Sequence, residues 1–136
     1  MEINFRNAAK AWIVEDGKVL MVKRRADDPH KPGAWDIPGG RLELGEDPFE
    51  GLKRETKEEI KCEIEILMPL SVNHFTRDDG QKITLTIYLC KLLTNAIELS
   101  EEHQEYRWVS LDNPEIEIPV FFNPTIHNFK KYIMLQ

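Results

Sequence analysis

Residues 38–60 read PGGRLELGEDPFEGLKRETKEEI, and this stretch decides the fold prediction. The two glycines after Pro38 allow the backbone a sharp turn and a close approach to other groups. Asp47 followed by Pro48 is typical of a helix start, with the carboxylate as cap and proline at the first helical position. Apolar or small side chains then recur at helical spacing, at Phe49, Leu52, Thr56 and Ile60. We therefore predict a helix over 48–60 that buries this face.

The rest of the chain alternates apolar segments with turns. Strands are predicted over residues 8–14, 18–25, 41–44, 62–72, 83–93 and 106–110, and a closing helix over 124–134. Residues 15–17 and 77–80 have the composition of turns, and residues 26–34 that of a loop. Strands flanked by two helices favour an α/β sandwich around a mixed sheet.

The composition is that of an ordinary globular chain of 136 residues, 41% of them hydrophobic. Such a chain buries roughly two-thirds of its unfolded surface, so we expect a single domain over residues 1–136 that needs no disulfide or structural metal to fold. The net charge of −6 argues against binding a nucleic acid polymer, which requires a basic face. Small phosphorylated ligands remain compatible with it, because a bound divalent metal supplies the missing positive field.

The chain carries no pattern of a targeting or membrane segment. Acidic Glu2 stands at the N-terminus without a long apolar core, and no apolar run reaches the roughly 20 residues that a bilayer requires. We therefore expect no membrane association and a cytoplasmic location. Cys62 and Cys90 lack a CxxC partner, which is typical of reduced, buried packing residues.

Glu55, Glu58 and Glu59 fall within about a quadrant of the predicted helix. Three carboxylates on one face repel each other. Taken alone, they fit two interpretations: a solvated acidic face in which Arg54 pairs with Glu58, or a metal site. The neighbouring loop favours the metal site, because Glu46 and the backbone of the turn can converge with the helix on one point.

The spacing of these residues resembles the Nudix box, whose pattern is G-x5-E-x7-R-E-U-x-E-E-x-G-U with U a bulky aliphatic residue. Six positions match at the right separations, namely Gly40, Glu46, Arg54, Glu55, Glu58 and Glu59. Thr56 and Cys62 replace two aliphatic residues but still offer small packing groups. Lys61 stands at the final glycine, whose left-handed backbone lysine tolerates poorly, so we expect the helix end to differ.

The resemblance implies a Nudix-like α/β/α sandwich with a site for Mg²⁺ or Mn²⁺. The implied metal ligands are Glu55, Glu58 and Glu59, the carbonyl of Gly39, and Glu46 either on the metal or beside it. Arg54 would orient the carboxylates. The general base would be Glu55, Glu58 or Glu102. Glu102 lies six residues before Trp108, and an exposed acidic loop is its alternative interpretation.

Residues 83–85 and 108–111 extend the resemblance towards the MutT-like branch of the family. That branch implies a small-molecule nucleotide substrate, most simply a nucleoside triphosphate cut to monophosphate and pyrophosphate. Arg25 and Arg41 are the candidate phosphate contacts. Asn123 is the candidate contact to the base, although it can equally cap the last helix ahead of Pro124.

Two alternatives remain at this stage. ADP-ribose, a dinucleoside polyphosphate or a nucleotide sugar would use the same metal site, although 136 residues leave no room for the additional N-terminal domain often found in ADP-ribose enzymes. A non-catalytic nucleotide-binding module is the more distant alternative. The retained box glutamates favour catalysis over it. We expect a monomer or a homodimer.

Overall fold

The computed structural model describes residues 4–134, which form seven strands and two α-helices. The strands are β1 (Phe5–Glu15), β2 (Lys18–Arg24), β3 (Trp35–Asp36), β4 (Gly39–Arg41), β5 (Ile64–Thr76), β6 (Lys82–Leu92) and β7 (His103–Ser110). The helices are α1 (Pro48–Ile60) and α2 (Asn123–Phe129), the second preceded by a 3₁₀ turn at Val120–Phe122 and followed by a π-helical turn at Lys130–Met134.

The sheet is mixed, as predicted, and β1 lies at its centre. The strand order is β3-β2-β1-β6-β5, with β4 also paired to β1 and β7 also paired to β2. β1 runs parallel to β6, whereas every other pair is antiparallel. The end of β1 turns into β2 through Asp16 and Gly17, both at positive φ.

Alternate residues of β1 face opposite sides of the sheet, and each side carries its own apolar cluster. Trp12 packs with Phe122 and Phe129 near the C-terminal helix. Ala9, Ala11 and Ile13 pack with residues of α1, namely Leu52 and Ile60. One helix on each face gives the predicted α/β/α sandwich.

Helix α1 begins and ends where the sequence places it. The side chain of Asp47 accepts hydrogen bonds from the backbone N–H groups of Phe49 and Glu50, and Pro48 occupies the first turn. Leu52, Thr56 and Ile60 are fully buried as predicted. The prediction is wrong for Phe49, which stays 48% exposed at the sheet margin with its ring 5.6 Å from that of Tyr88.

Lys61 ends α1 in the left-handed conformation that the glycine of the Nudix box would adopt, with φ 60° and ψ 30°. Its backbone N–H donates to the carbonyl of Lys57 and its ammonium to the carbonyl of Glu58. The expectation that the helix would end differently is therefore wrong for the backbone geometry. Lys61 is nevertheless strained, because a left-handed non-glycine residue costs about 1–2 kcal/mol.

Several strand boundaries differ from the prediction. The predicted strand over 41–44 is wrong, because β4 is Gly39–Arg41 and pairs with Ala8–Lys10 of β1. Beyond it the N–H of Glu43 donates to the carboxylate of Glu46, which starts the turn into α1. β3 was not predicted, and β5 and β7 begin at Ile64 and His103 because their partner strands set the register.

The two cysteines are buried and unpaired, as predicted. The closing helix is shorter than the predicted 124–134, because α2 ends at Phe129 and a π-helical turn continues the chain. Within residues 4–134, every helix is too short or too polar to cross a membrane.

Candidate active site

Arg54, in the middle of α1, binds acidic side chains of the helix and of the loop before it. Its guanidinium makes a bidentate pair with Glu46, with Nε 2.8 Å from Oε2 and Nη2 2.9 Å from Oε1. Oε1 of Glu46 also accepts the backbone N–H of Glu43 at 3.0 Å. These hydrogen bonds, chiefly those from Arg54, lower the pKa of Glu46 to about 2. Glu46 is therefore a fixed anion that locks the loop to the helix.

The same guanidinium reaches two further carboxylates. Nη2 lies 3.3 Å from Oε1 of Glu55, and Nη1 lies 3.3 Å from both oxygens of Glu58. The Glu58 side chain is 59% exposed, whereas that of Glu55 is only 18% exposed. Arg54 thus gathers three of the predicted site carboxylates around one cation.

Glu59 points away from Arg54 and into the protein. The residue is 6% exposed, and its Oε2 accepts the backbone N–H of Gly39 at 2.8 Å. Burial raises the pKa of Glu59 to about 8, although Gly39 and Lys10 oppose this. Gly39 has φ 126°, and a Cβ there would overlap the carbonyl oxygen of Ala9. Only glycine lets β4 approach both β1 and Glu59 so closely.

Glu55 lies against the second glycine of the turn and faces other negative charges. A Cβ on Gly40 would sit 3.4 Å from Oε2 of Glu55. Burial raises the pKa of Glu55, and the carboxylates of Glu58 and Glu102 add to the effect. Glu102, exposed on the loop before β7, also raises the pKa of Glu59. The loop therefore brings a further negative charge towards the helix, where the resemblance placed it.

The interpretation of the cluster as a purely solvated acidic face is wrong for Glu59, which is buried. The arrangement is also not a closed metal cage, since the described part of the chain contains no three Asp, Glu, His or Cys side chains positioned together to hold an ion. Three of these carboxylates instead pair with Arg54. Gly39 was predicted to offer its carbonyl to the metal. The contact it makes with α1 is through its N–H, which donates to Glu59.

A cavity of about 450 Å³ opens beside the glycine turn. Gly40 and Arg41 border it, and the rings of Phe75 and Phe121 meet edge to face in its wall at 5.8 Å. Its volume lies within the range of small-ligand pockets. Arg41, a predicted phosphate contact, therefore lies at the border of the cavity next to Gly40.

The cavity floor, formed by Lys10, Arg24 and Asp36, was missed by the sequence analysis. Oδ2 of Asp36 accepts from Lys10 Nζ at 2.8 Å and from Arg24 Nη1 at 2.9 Å. Although burial alone would raise the pKa of Asp36, Lys10 holds it below its ordinary value. One signal was available: Lys10 is the only charged residue between Asn7 and Val14 in an otherwise apolar strand.

Two predicted substrate contacts lie away from this cavity. Arg25 is exposed and pairs with Asp27 at 3.1 Å, beside the open cleft that contains Glu102. Asn123 is exposed at the start of α2, and Phe121, not Asn123, borders the cavity. The capping interpretation of Asn123 is wrong, because the N-cap position is Phe122 and no side chain caps this helix.

Comparison with known proteins gives consistent matches across most of the chain. Residues 4–129 match the NUDIX domain family. The nucleoside triphosphatase NudI of Escherichia coli is 34% identical over 108 residues, which cover 71% of this chain and 76% of that protein.

Solved structures show the same fold. The MutT protein of Methanosarcina mazei superposes with a TM-score of 0.82 at 27% identity, covering 96% of each chain. An Ap4A hydrolase of C. elegans superposes with a TM-score of 0.78 at 24% identity, covering 96% of this chain and 99% of that one. With its NUDIX match and the acidic helix that its Arg54 organises, the chain belongs to the Nudix hydrolase family.

Proposed function

We propose that the protein hydrolyses nucleoside triphosphates to nucleoside monophosphates and pyrophosphate with the help of Mg²⁺ or Mn²⁺. One observation carries the proposal: Gly40 borders a cavity of about 450 Å³ and also lies beside Glu55, one of the carboxylates that Arg54 binds. The E. coli relative named as a nucleoside triphosphatase supports the substrate class. We infer a single domain that acts on a small-molecule nucleotide in the cytoplasm.

The acidic side chains have the chemistry that a hard divalent cation requires. They offer only carboxylate oxygens, which Mg²⁺ and Mn²⁺ prefer. The raised pKa values of Glu55 and Glu59, due first to burial and then in part to neighbouring carboxylates, are consistent with a cluster that a cation would stabilise. Glu58 and Glu59 would hold the ion, with Glu55 beside it. When bound, such an ion neutralises phosphate charge and lowers the pKa of a coordinated water.

Among the three candidate bases, Glu55 is best placed to take the proton of the attacking water. Both oxygens of Glu58 accept from Arg54, and Glu102 is exposed on its loop. Glu55 is half-buried, and its Oε2 faces Gly40 at the edge of the cavity. A partly buried carboxylate with a raised pKa is the stronger base. We assign the proton transfer to Oε2 of Glu55.

The remaining residues position the substrate and the site. Arg54 fixes Glu46 through two short hydrogen bonds and so holds the loop against the helix. Arg41 at the cavity edge has a guanidinium fork suited to a phosphate, and its Nη1 donates to the amide oxygen of Gln81 at 2.6 Å. The aromatic wall of the cavity would face the nucleoside.

The first experiment is a release assay for phosphate and pyrophosphate, with and without Mg²⁺. The substrates are nucleoside triphosphates, ADP-ribose and dinucleoside polyphosphates. Metal-dependent pyrophosphate release from triphosphates would support the proposal. Turnover confined to the other compounds would replace the substrate, and nucleotide binding without any turnover would indicate a binding module.

Two matched variants of α1 test whether the activity depends on the carboxylates that Arg54 binds. Glu58→Gln removes one charge from the Arg54 cluster and should lower the rate of pyrophosphate release at least about tenfold. Glu50→Gln, an exposed glutamate in the first turn of the same helix, is the control and should retain the wild-type rate. Equal rates for both variants would remove Glu58 from the site.

A further inference from the structure

The cavity floor offers hydrogen-bond donors but no free acceptor. Oδ2 of Asp36 accepts from Lys10 and Arg24, and Oδ1 accepts the backbone N–H of Ile37 at 2.8 Å. The Asp36 side chain is only 5% exposed, so water does not compete for these oxygens. Asp36 therefore holds the two cations in place, and both of its buried oxygens already accept hydrogen bonds from the protein.

Several donors at this end of the cavity remain unused. Within residues 4–134, nothing accepts a hydrogen bond from Nη2 of Arg24 or from Nζ of Lys31. Lys10 has three ammonium protons, one of which goes to Asp36 and another to the distant carbonyl of Ile37 at 3.5 Å. A ligand that reaches the floor thus meets N–H groups carrying positive charge.

The walls above the floor suit a flat ring. Phe75 and Phe121 stand at right angles, and Ile83 and Leu85 complete an apolar lining. The ammonium of Lys31 lies 5.5 Å from the Phe121 ring, so the loop between β2 and β3 contacts this wall. The one further carboxylate at the cavity, Asp78, is exposed at its rim, where water screens it. Selection by hydrogen bonding is therefore strongest at the floor.

We propose that the cavity selects nucleotides whose base carries a carbonyl oxygen at its outer edge, as uracil and hypoxanthine do, over bases with an amino group there. This inference rests on the proposed function, which places the base in the cavity. The exocyclic group projects furthest from the ring and meets Lys10 and Arg24 at the floor, with the exposed Lys31 beside them at the cavity mouth. A carbonyl oxygen accepts from them, whereas an amino group sets N–H against N–H and leaves the donors unsatisfied.

The charge distribution around Lys31 agrees with this selection. Lys31 is exposed, but partial burial of its ammonium lowers its pKa, and the nearby cations Lys10 and Arg24 lower it further, against the opposing effect of Asp36 and Asp28. Positive charge is therefore concentrated at this end of the cavity. The partial negative charge of a carbonyl oxygen stabilises it, and the partial positive charge of an amino group does not.

The test compares kcat/KM for two substrate pairs, ITP with ATP and UTP with CTP. Within each pair the substrates differ in the exocyclic group and in the proton on the adjacent ring nitrogen. We expect the carbonyl member to be favoured about tenfold or more in each pair, which is the usual consequence of one buried donor left unsatisfied. Ratios of one or less overturn the inference, while metal-dependent turnover of all four would leave the proposed function intact.

Two lysine variants locate the selection. Lys31→Met keeps the apolar stem over Phe121 but removes the charged donor, and should reduce the ITP/ATP ratio about threefold or more. Lys91→Met changes an exposed lysine on β6 away from the cavity and should leave the ratio unchanged. A wild-type ratio in the Lys31 variant would overturn the role of Lys31.

Binding separates this inference from the proposed function. If no triphosphate is hydrolysed, the proposed function fails, and calorimetric titration of the same protein with IMP and AMP still reports on the cavity. Binding of IMP about tenfold tighter than AMP supports the selection. Equal affinities overturn it.

Discussion

The buried carboxyl group of Glu59 predicts that the metal-free protein loses stability as the pH rises. Burial raises the pKa of Glu59 from 4.5 to about 8 in the folded state. Between these values the folded protein keeps a proton that the unfolded chain has lost, so the free energy of unfolding falls with increasing pH. The contribution is complete below about pH 4.5 and is gone once the pH has passed about 8.

The size of the effect follows from the same two values. At about 1.4 kcal/mol per pKa unit, roughly 5 kcal/mol is lost over the whole window and about 3 kcal/mol between pH 5 and pH 8. Glu59→Gln removes the titration but keeps an oxygen that can accept the N–H of Gly39. The free energy of unfolding of the wild type relative to this variant should therefore fall by about 3 kcal/mol over that interval.

The measurement is urea unfolding of both proteins at several pH values, with a chelator present. Other shifted groups are common to both proteins and cancel in the difference. Glu46 and Asp28, with pKa values of about 2, act below this window, and His103, with a pKa of about 4, acts in the lower part of it. Glu50→Gln should follow the wild type. Parallel profiles for wild type and Glu59→Gln would refute the reasoning. When Mg²⁺ replaces the chelator at pH 8, it should stabilise the wild type and Glu50→Gln but not Glu59→Gln.

Three substitutions test the local geometry. Lys61→Gly should raise the free energy of unfolding by about 1 kcal/mol in urea, since it removes left-handed strain; a loss of stability would contradict this. Gly39→Ala should destabilise by more than about 3 kcal/mol because its Cβ would overlap Ala9, and stability near wild type would show that β4 can move. Arg54→Lys should slow pyrophosphate release at least about tenfold at nearly unchanged melting temperature, since lysine cannot bind Glu46 bidentately; wild-type turnover would show that the pair is dispensable.

Helix α1 could be predicted from sequence because its determinants are local. The Asp47 cap, Pro48 and the apolar repeat all lie within the helix or directly before it. Phe49 was the exception, since its exposure depends on where the first turn meets Tyr88 on β6. A helical repeat predicts which side of the helix faces the sheet, but not how far the sheet extends along that side.

The short strands could not be predicted because distant partners define them. β4 exists where Lys10 of β1 pairs with Gly39, and β3 where Lys23 of β2 pairs with Trp35. Neither segment has enough residues to show an alternating pattern. Pairing partners many positions away, together with the positive φ of Gly39, decide which residues form the strand.

The candidate site, like the fold, could be predicted from sequence only where its residues lie close together in the chain. The spacing of the box placed Arg54 and the helix glutamates together, because four positions along a helix return to one face. It gave no side-chain directions, so the inward turn of Glu59 was not predicted. The cavity floor was missed because Lys10 and Asp36 are 26 positions apart and meet only through the sheet.

Although the net charge is −6, two regions of opposite sign meet at the glycine turn: the acidic helix α1 and the cavity floor with Lys10 and Arg24. Gly39 donates its N–H to Glu59 on the acidic side, and Gly40 contacts Glu55 while bordering the cavity that contains Lys10. Lys10 pairs with Asp36 and also lowers the pKa of Glu59. The absence of a side chain at Gly39 lets this turn lie directly against β1, which carries Lys10. A substrate with a phosphate chain at one end and a base at the other would span the glycine pair, so both regions would act on the same molecule.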